Sequence, residues 1–237
     1  MHLIEYDHLN PEETIALDAF LLMKAESGAL GETLRFWNAE EYFVVLGRSG
    51  KIAEECHVER CRRNGVKIIR RSSGGGTILQ GPGCLNYSLI LSYKGDTSYN
   101  NVRSSYRHIL SAITDEFGKN GYNLEFYPLS DLAIGGKKIS GNAQARKRRY
   151  FLHHGTFLFG FDLDKVSFYL KHPPKEPEYR RARTHGDFLT NIPSTPAALS
   201  KIIKKTFLPS AAPVWRPDAD DLVALRKLAV EKYADLA

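Results

Sequence analysis

Three short runs of this chain carry residues able to do chemistry. The first is Arg70-Arg71-Ser72-Ser73-Gly74-Gly75-Gly76, where two guanidinium groups meet three consecutive glycines. Glycines there cost backbone entropy and bring no side-chain packing, a cost worth bearing where a ligand must lie against the main chain. Arginines beside such a loop suit an anionic visitor; read alone, the run is first of all a tight turn between strands with surface arginines. The second is Ser130-Asp131-Leu132 followed by Gly136-Lys137-Lys138-Ile139-Ser140-Gly141-Asn142. Strand alternation puts Lys138 and Ser140 on one face, and Ile139 with Lys137 on the other. A lysine fixed on a strand is a point charge for phosphate or carboxylate oxygens, whereas two lysines on a surface hairpin are merely solvated. The third is His153-His154-Gly155-Thr156. Its adjacent histidines face opposite sides of a strand, and no HxH or HExxH spacing occurs, so zinc is not expected. One of the two histidines is expected to be a buried, hydrogen-bonded structural residue.

The elements that must hold these runs are readable in outline. Asn10-Pro11-Glu12-Glu13 supplies a helix cap, a first-turn proline and an acid three residues after the cap. Ile15, Ala16, Ala19, Phe20, Leu22 and Met23 continue it as an apolar stripe to about Gly28. Strands are expected over 34–37 and 42–47, then a helix over 51–64 stopped by Gly65. A strand over 66–71 feeds the glycine loop, and another spans 85–93. Val102, Tyr106, Ile109, Leu110, Ile113 and Phe117 mark an amphipathic helix ending near Asn120-Gly121. Strands over 123–127, 131–134 and 137–141 follow, with Gly135-Gly136 as a two-residue hairpin turn, and then one over 151–161. A short helix over 162–170 leads to His172-Pro173-Pro174-Lys175-Glu176-Pro177, read as a stiff extended linker. Two helices, 196–207 and 218–236, close the chain. The order predicts an α+β fold, a mixed and largely antiparallel β-sheet flanked by helices.

Composition narrows the function classes. With 237 residues, 43% hydrophobic and 25% charged, the chain fits one large domain. No segment reaches the ~20 apolar residues of a membrane span. The N-terminal run lacks the basic start and apolar core of a signal peptide, so cytoplasmic residence is expected. The net charge of +6 suits an acidic partner or ligand. Arg146-Lys147-Arg148-Arg149 reads as a solvated turn, and without interleaved aromatics it is no stacking platform for nucleic acid. Cys56, Cys61 and Cys84 make neither an even disulfide set nor a CxxC pair. The first two are expected to share a helix; Cys84, beside the glycine loop, is the one placed where reactivity would matter. The glycines are not followed by Gly-Lys-Ser/Thr, and neither GxGxxG nor Gly-x-Ser-x-Gly occurs. A P-loop, a dinucleotide fold and a nucleophile elbow are therefore unsupported.

Taken in order, the three runs together with Leu85-Asn86-Tyr87-Ser88 resemble the lipoate-protein ligase family, within the biotin/lipoate ligase group, over about residues 34–161. The resemblance implies a two-step reaction. The carboxylate of lipoate or octanoate attacks the α-phosphorus of ATP, with Mg2+, to give an acyl-adenylate and pyrophosphate. A lysine of an apo lipoyl domain, or of a glycine-cleavage H-type carrier protein, then takes the acyl group and releases AMP. Lys138 is implied as the catalytic residue and Arg70 as the group binding carboxylate or phosphate. Gly74, Gly75 and Gly76 would let the adenylate lie against the backbone, and Asn86 would hydrogen-bond near the reacting centre. Asp131 is implied as a magnesium or nucleotide-side ligand. Ser72, Ser140, Gly141, His154 and Thr156 complete the adenylate contacts, with His154 ordering the strand beneath, and Trp37 lines the acyl tunnel.

The chain also departs from the pattern. Ligases follow the triple glycine with an aromatic-His-Asp run, where this chain has Leu79-Gln80-Gly81. Gly81-Pro82-Gly83 is closer to the octanoyltransferase branch, which uses no ATP but needs a late cysteine, and no cysteine follows Cys84. An ATP-independent transferase between carriers is thus the alternative, with Cys84 as a relocated nucleophile; a non-catalytic binding module is a third reading. Residues 1–172 are expected to form the catalytic core, with 173–237 completing the same domain and no full accessory domain. In the family it resembles, some members receive that part as a separate accessory subunit and others operate without it. The basic stretch Tyr179-Arg180-Arg181-Ala182-Arg183-Thr184-His185 would either greet an acidic carrier or close over the nucleotide.

Overall fold

The computed structural model describes every residue except Asp7, His8 and Pro209. Helix α1 (Pro11–Ser27) starts on the expected cap, with Asn10 Oδ1 accepting from the Glu13 amide at 2.8 Å, and stops at Gly28 with φ 88°. Of the other helices, α2 (Ile52–Glu55), α3 (Val58–Arg63), α5 (Asp164–Tyr169) and α6 (His185–Phe188) are short, and α4 (Val102–Lys119), α7 (Pro196–Phe207) and α8 (Ala219–Lys232) are long. Among the described residues there are eleven strands: β1 (His2–Ile4), β2 (Thr33–Asn38), β3 (Phe43–Leu46), β4 (Ile68–Arg70), β5 (Ile78–Gln80), β6 (Cys84–Ser92), β7 (Glu125–Tyr127), β8 (Asp131–Ile134), β9 (Lys137–Arg146), β10 (Tyr150–Leu158) and β11 (Val214–Trp215).

Eight of them make one sheet in the order β11-β1-β2-β6-β10-β9-β8-β7, and β4-β3-β5 make a second. Strand β1 runs parallel to both neighbours and β3 parallel to β4; the remaining pairs are antiparallel. The fold is therefore the expected mixed, largely antiparallel α+β arrangement, with the glycine-loop strands gathered into a sheet of their own. Helices α1 and α8 pack on one face of the large sheet, and α4 and α7 on the other. Alternation sorts β10 between these layers: Phe151 and Phe157 enter the α4 core, and Leu152 the α1 core. Phe117 of α4 stacks on Phe157 at 5.3 Å. Burying each such side chain contributes about 1.5–3 kcal/mol, which makes this sheet a rigid floor.

Several boundaries differ from the sequence reading. The helix expected over 51–64 breaks into α2 and α3 because Cys56 is extended and His57 is not helical. Cys56 bridges Leu170, and the His57 amide donates to the Tyr169 carbonyl at 2.8 Å. Cys56 and Cys61 therefore do not share a helix. Strand β9 continues to Arg146, so the basic run closes the β9–β10 hairpin, and the Arg146 guanidinium covers the rings of Tyr93 and Phe151. Gly135 and Gly136 form the expected turn, both at positive φ. Among the described residues no helix is long and apolar enough to cross a membrane.

Candidate active site

A cavity of about 310 Å3 lies on the α1 side of the large sheet, under the glycine loop. Its floor is one cross-strand row: Trp37 of β2 stands opposite Asn86 of β6, Asn86 opposite Thr156 of β10, Thr156 opposite Gly141 of β9, and Gly141 opposite Asp131 of β8. Five residues scattered over 120 positions of sequence, 156 minus 37 with both ends counted, thus meet through strand pairing alone. The next row carries Arg35, Ser88, His154 and Ala143. Ile15, Val45 and Ile78 make the wall near Trp37 apolar, and Gly75 and Gly76 roof the cavity.

Lys138 reaches this row through a bulge. Between β8 and β9 the pairing passes from Leu132–Ser140 to Ala133–Lys138, leaving Ile139 as an extra residue. The expectation that Lys138 and Ser140 share a face is therefore wrong: one inserted residue inverts the alternation. Ser140 stands opposite buried Leu132, although it still borders the cavity. Lys138 Nζ lies 2.8 Å from Asp131 Oδ1, and Asp131 Oδ2 accepts the Tyr179 hydroxyl at 2.8 Å. A Cβ at position 141 would sit 2.8 Å from Lys138 Nζ, so Gly141 is the gap the lysine side chain passes through.

The arginines exchange roles relative to expectation. Arg70 Nη1 donates to the carbonyls of Gly47, Arg48 and Gly50 at 2.8–3.1 Å, which takes it out of the cavity wall. Arg71 points inward, as period-two alternation requires, and borders the cavity. Its guanidinium donates to the carbonyls of Gly74 (2.7 Å) and Gly76 (2.8 Å) and so shapes the loop from beneath. Burial lowers its pKa to about 10, still a cation at neutral pH. Ser72 also turns away and bonds the Tyr233 hydroxyl; neither it nor Gly74 borders the cavity.

Asn86 and Thr156 meet in a closed polar knot with Gln80. The two amides exchange hydrogen bonds at 2.8 and 2.9 Å, and Gln80 Nε2 also reaches Thr156 Oγ1 at 3.0 Å. Gln80 is where the chain leaves the ligase pattern, and its sequence context carried no signal of this pairing. A second residue that motif reading missed is Asp18, an acid inside the apolar run of α1. It accepts from Arg35 Nη1 (2.8 Å), Ser88 Oγ (2.7 Å) and His154 Nδ1 (3.0 Å). Burial opposes its charge, but the His154 hydrogen bond and the Arg35 guanidinium outweigh burial and hold its pKa below the usual carboxylate range.

The paired histidines divide as alternation predicts. His154 borders the cavity; His153 lies on the α4 side, fully buried between the Tyr87 hydroxyl and the Gln144 amide, each at 3.2 Å. Burial pushes the His153 pKa down to about 3, with the neighbouring His154 adding to the shift. The unfolded chain binds this proton near pH 6.5, and the folded site refuses it until about pH 3. Stability held above pH 6.5 is thus lost as pH falls through that window. Taking the protein from pH 7 to pH 5 should cost roughly 2 kcal/mol at this site. Urea unfolding at the two pH values checks it: His153→Gln should lose most of that difference, and an unchanged difference would rule the assignment out.

Cys84, the first residue of β6, is sealed in the core, and burial lifts its thiol pKa to about 12. It does not border the cavity, which removes the relocated-nucleophile reading. Asp131 fits the implied magnesium poorly, because both its oxygens already have partners in Lys138 and Tyr179. Among the described residues no cluster of three or more His, Cys, Asp or Glu groups gathers to hold a metal. The proline-rich segment is more than a linker. Pro173, Lys175, Pro177, Arg180 and His185 border the cavity, Tyr179 stacks on Tyr127 at 4.0 Å, and Arg183 donates to the Gly136 carbonyl at 3.0 Å. The basic stretch therefore reaches the site through Arg180 and His185.

A fixed cation at one end of an apolar slot, under a glycine loop, has the chemistry to hold an apolar chain that ends in an anionic group. Residues 10–200 match the family model of the lipoyl protein ligase A/B catalytic domain, and the chain belongs to that family. It is 31% identical over 184 residues to lipoate-protein ligase A of Blochmanniella floridana, across 75% of this chain and 49% of that one. A solved bi-partite lipoate protein ligase of Thermoplasma acidophilum, described with its E2 lipoyl domain, is similar with a TM-score of 0.80 and 22% identity, over 98% of this chain and 92% of that one. A lipoate-protein ligase A solved with ATP gives 0.78 and 22%, over 98% and 94%. Relatives also include an octanoyltransferase of Brevibacillus brevis and an inactive lipoate-protein ligase of Plasmodium falciparum. The chain spans between 49% and 59% of the length of the first three curated ligases it matches.

Proposed function

We propose that this protein is an ATP-dependent lipoate-protein ligase that activates lipoate, or octanoate, and passes the acyl group to a lysine of a lipoyl carrier domain. The observation that carries the reading is the single row from Trp37 to Asp131, with Lys138 beside its far end. Four strand steps span about 19 Å, room for an extended acyl chain at the Trp37 end and a nucleotide toward Asp131. In the first step the acyl carboxylate forms a bond to the α-phosphorus and pyrophosphate leaves. In the second, the carrier amine bonds to the acyl carbon, loses a proton, and AMP leaves. Negative charge grows first on the α-phosphate oxygens and then on the acyl oxygen. Lys138, anchored by Asp131, supplies a preorganised positive charge that serves both steps. The Gly75–Gly76 backbone approaches the ligand from above, and the Gln80–Asn86–Thr156 knot offers fixed polar groups below. The ligase relatives and the neighbours solved with ATP and with lipoate support this reading.

The test is mass spectrometry of an apo lipoyl domain incubated with the protein, ATP, magnesium and lipoate. A gain of one lipoyl group with release of AMP and pyrophosphate is the expected result. The Gly81-Pro82-Gly83 run favours the transferase alternative, and a gain seen only from an acylated carrier without ATP would establish that instead. A second prediction concerns the loop: a Cβ on Gly47 would lie 2.0 Å from the Gly75 carbonyl oxygen. Backbone on both sides leaves no flexible group to yield, so Gly47→Ala should displace the roof of the site. About 100-fold lower carrier acylation is expected, with a stability loss of about 1–3 kcal/mol. Acylation within threefold of the parent in a folded variant would contradict it.

A further inference from the structure

We infer that Asp18, His154 and Ser73 form a hydrogen-bonded relay that pins the glycine loop over the cavity, with His154 a positioning residue and not a reacting one. The inference rests on the ligase reading for its kinetic arm alone. Three elements remote in sequence meet here: α1 brings Asp18, β10 brings His154, and the loop after β4 brings Ser73. His154 Nδ1 lies 3.0 Å from Asp18 Oδ2, and His154 Nε2 lies 2.6 Å from Ser73 Oγ. The Asp18 carboxylate already accepts from Arg35 and Ser88 and has no proton to give. The His154 proton therefore belongs on Nδ1, which leaves Nε2 to accept the Ser73 hydroxyl proton. The Ser73 carbonyl in turn accepts the Arg48 amide at 2.9 Å. Arg71 grips the next carbonyls, Gly74 and Gly76, from below.

The same three residue types in this order make a nucleophilic triad in acyl-transfer enzymes, so the reacting alternative has to be weighed. Ser73 is fully buried and does not border the cavity, whereas Gly75 and Gly76 do. Its hydroxyl is aimed at the imidazole, 2.6 Å from Nε2. The relay's effect is then on the loop's population. A ligand that binds only the ordered loop has its apparent dissociation constant raised in proportion as that state empties.

The test starts without substrate. In 15N NMR of the intact protein, the imidazole signal lost in His154→Gln should be the neutral Nδ1–H tautomer, with Nε2 unprotonated. Amide hydrogen exchange at residues 74–77 should quicken about fivefold in Ser73→Ala, the factor one net hydrogen bond carries, and by at least as much in His154→Gln. The kinetic arm expects KM for ATP and lipoate to rise by the same factor in Ser73→Ala, with kcat within twofold. An Nε2–H tautomer, or loop exchange unchanged in both variants, overturns the relay. An acyl adduct on Ser73 after incubation with an acyl donor makes Ser73 a nucleophile and also overturns it. If the ligase reading fails, adenylate formation is missing in the parent protein, while the tautomer and the exchange rates stand.

Discussion

Lys138→Ala should lower the rate of carrier acylation by about 10²–10³-fold, the usual loss when one preorganised stabiliser of developing charge is removed. The effect should appear in kcat measured in single turnovers, since the lysine is needed most where charge has accumulated. Stability should hardly change. Both partners are partly exposed, with side chains 24% and 11% accessible, and such pairs contribute about 1 kcal/mol or less. Asp131 also keeps the Tyr179 hydroxyl. Lys138→Arg is the informative companion. It preserves charge, but the lysine tip already stands 2.8 Å from the space a Cβ at 141 would fill, and a planar fork is wider than an ammonium. Arginine should therefore recover little of the lost rate. Activity of Lys138→Ala within threefold of the parent would remove the lysine from the mechanism.

Asp18→Ala should be among the most destabilising single changes on the site side of the sheet, by about 3–5 kcal/mol. Arg35 is 1% exposed and faces this carboxylate at 2.8 Å. With Asp18 gone the guanidinium keeps the Thr14 carbonyl and the Trp37 ring but loses the Asp18 carboxylate, and Ser88 and His154 lose an acceptor. Spread over a chain of this size, the change corresponds to a fall of roughly 6–20 °C in Tm. The pH dependence has a definite sign. Because Asp18 is held below the ordinary carboxylate range, its contribution is present above about pH 4 and is lost as pH falls through the lower folded value. Calorimetry at neutral pH checks the magnitude. A loss below 1 kcal/mol would mean the cluster relaxes and the pair is not the anchor described.

How far the sequence could be read depended on whether a feature was local. The caps of α1 and the periodicity of α4 were legible because each is written within one turn or one helix. The motif runs were legible too, and every one of them contributes residues to one cavity. Lys138 was assigned to the wrong partner face because the bulge at Ile139 is a property of the β8–β9 pairing and not of β9 alone. Arg70 and Arg71 look equivalent in a string; only the direction of β4 tells which one enters the site. Asp18 went unnoticed because its partners sit 17, 70 and 136 residues away. The helix over 51–64 failed for a similar reason, since the break at Cys56–His57 is held by residues 169 and 170. Strands β1 and β11, three and two residues long, are too short to display alternation.

The cross-strand row has a consequence for how this protein tolerates change. Every floor residue is addressed by its pairing, so the site has no local backup if β10 slips by one residue against β6 or β9. Such a slip would carry the His153 imidazole into the polar cavity and thrust the His154 imidazole into the α4 core, and it would exchange Thr156 for an apolar neighbour in the same stroke. A single-residue deletion in the β9–β10 hairpin, far from the chemistry, should therefore be more damaging than most substitutions within the cavity itself.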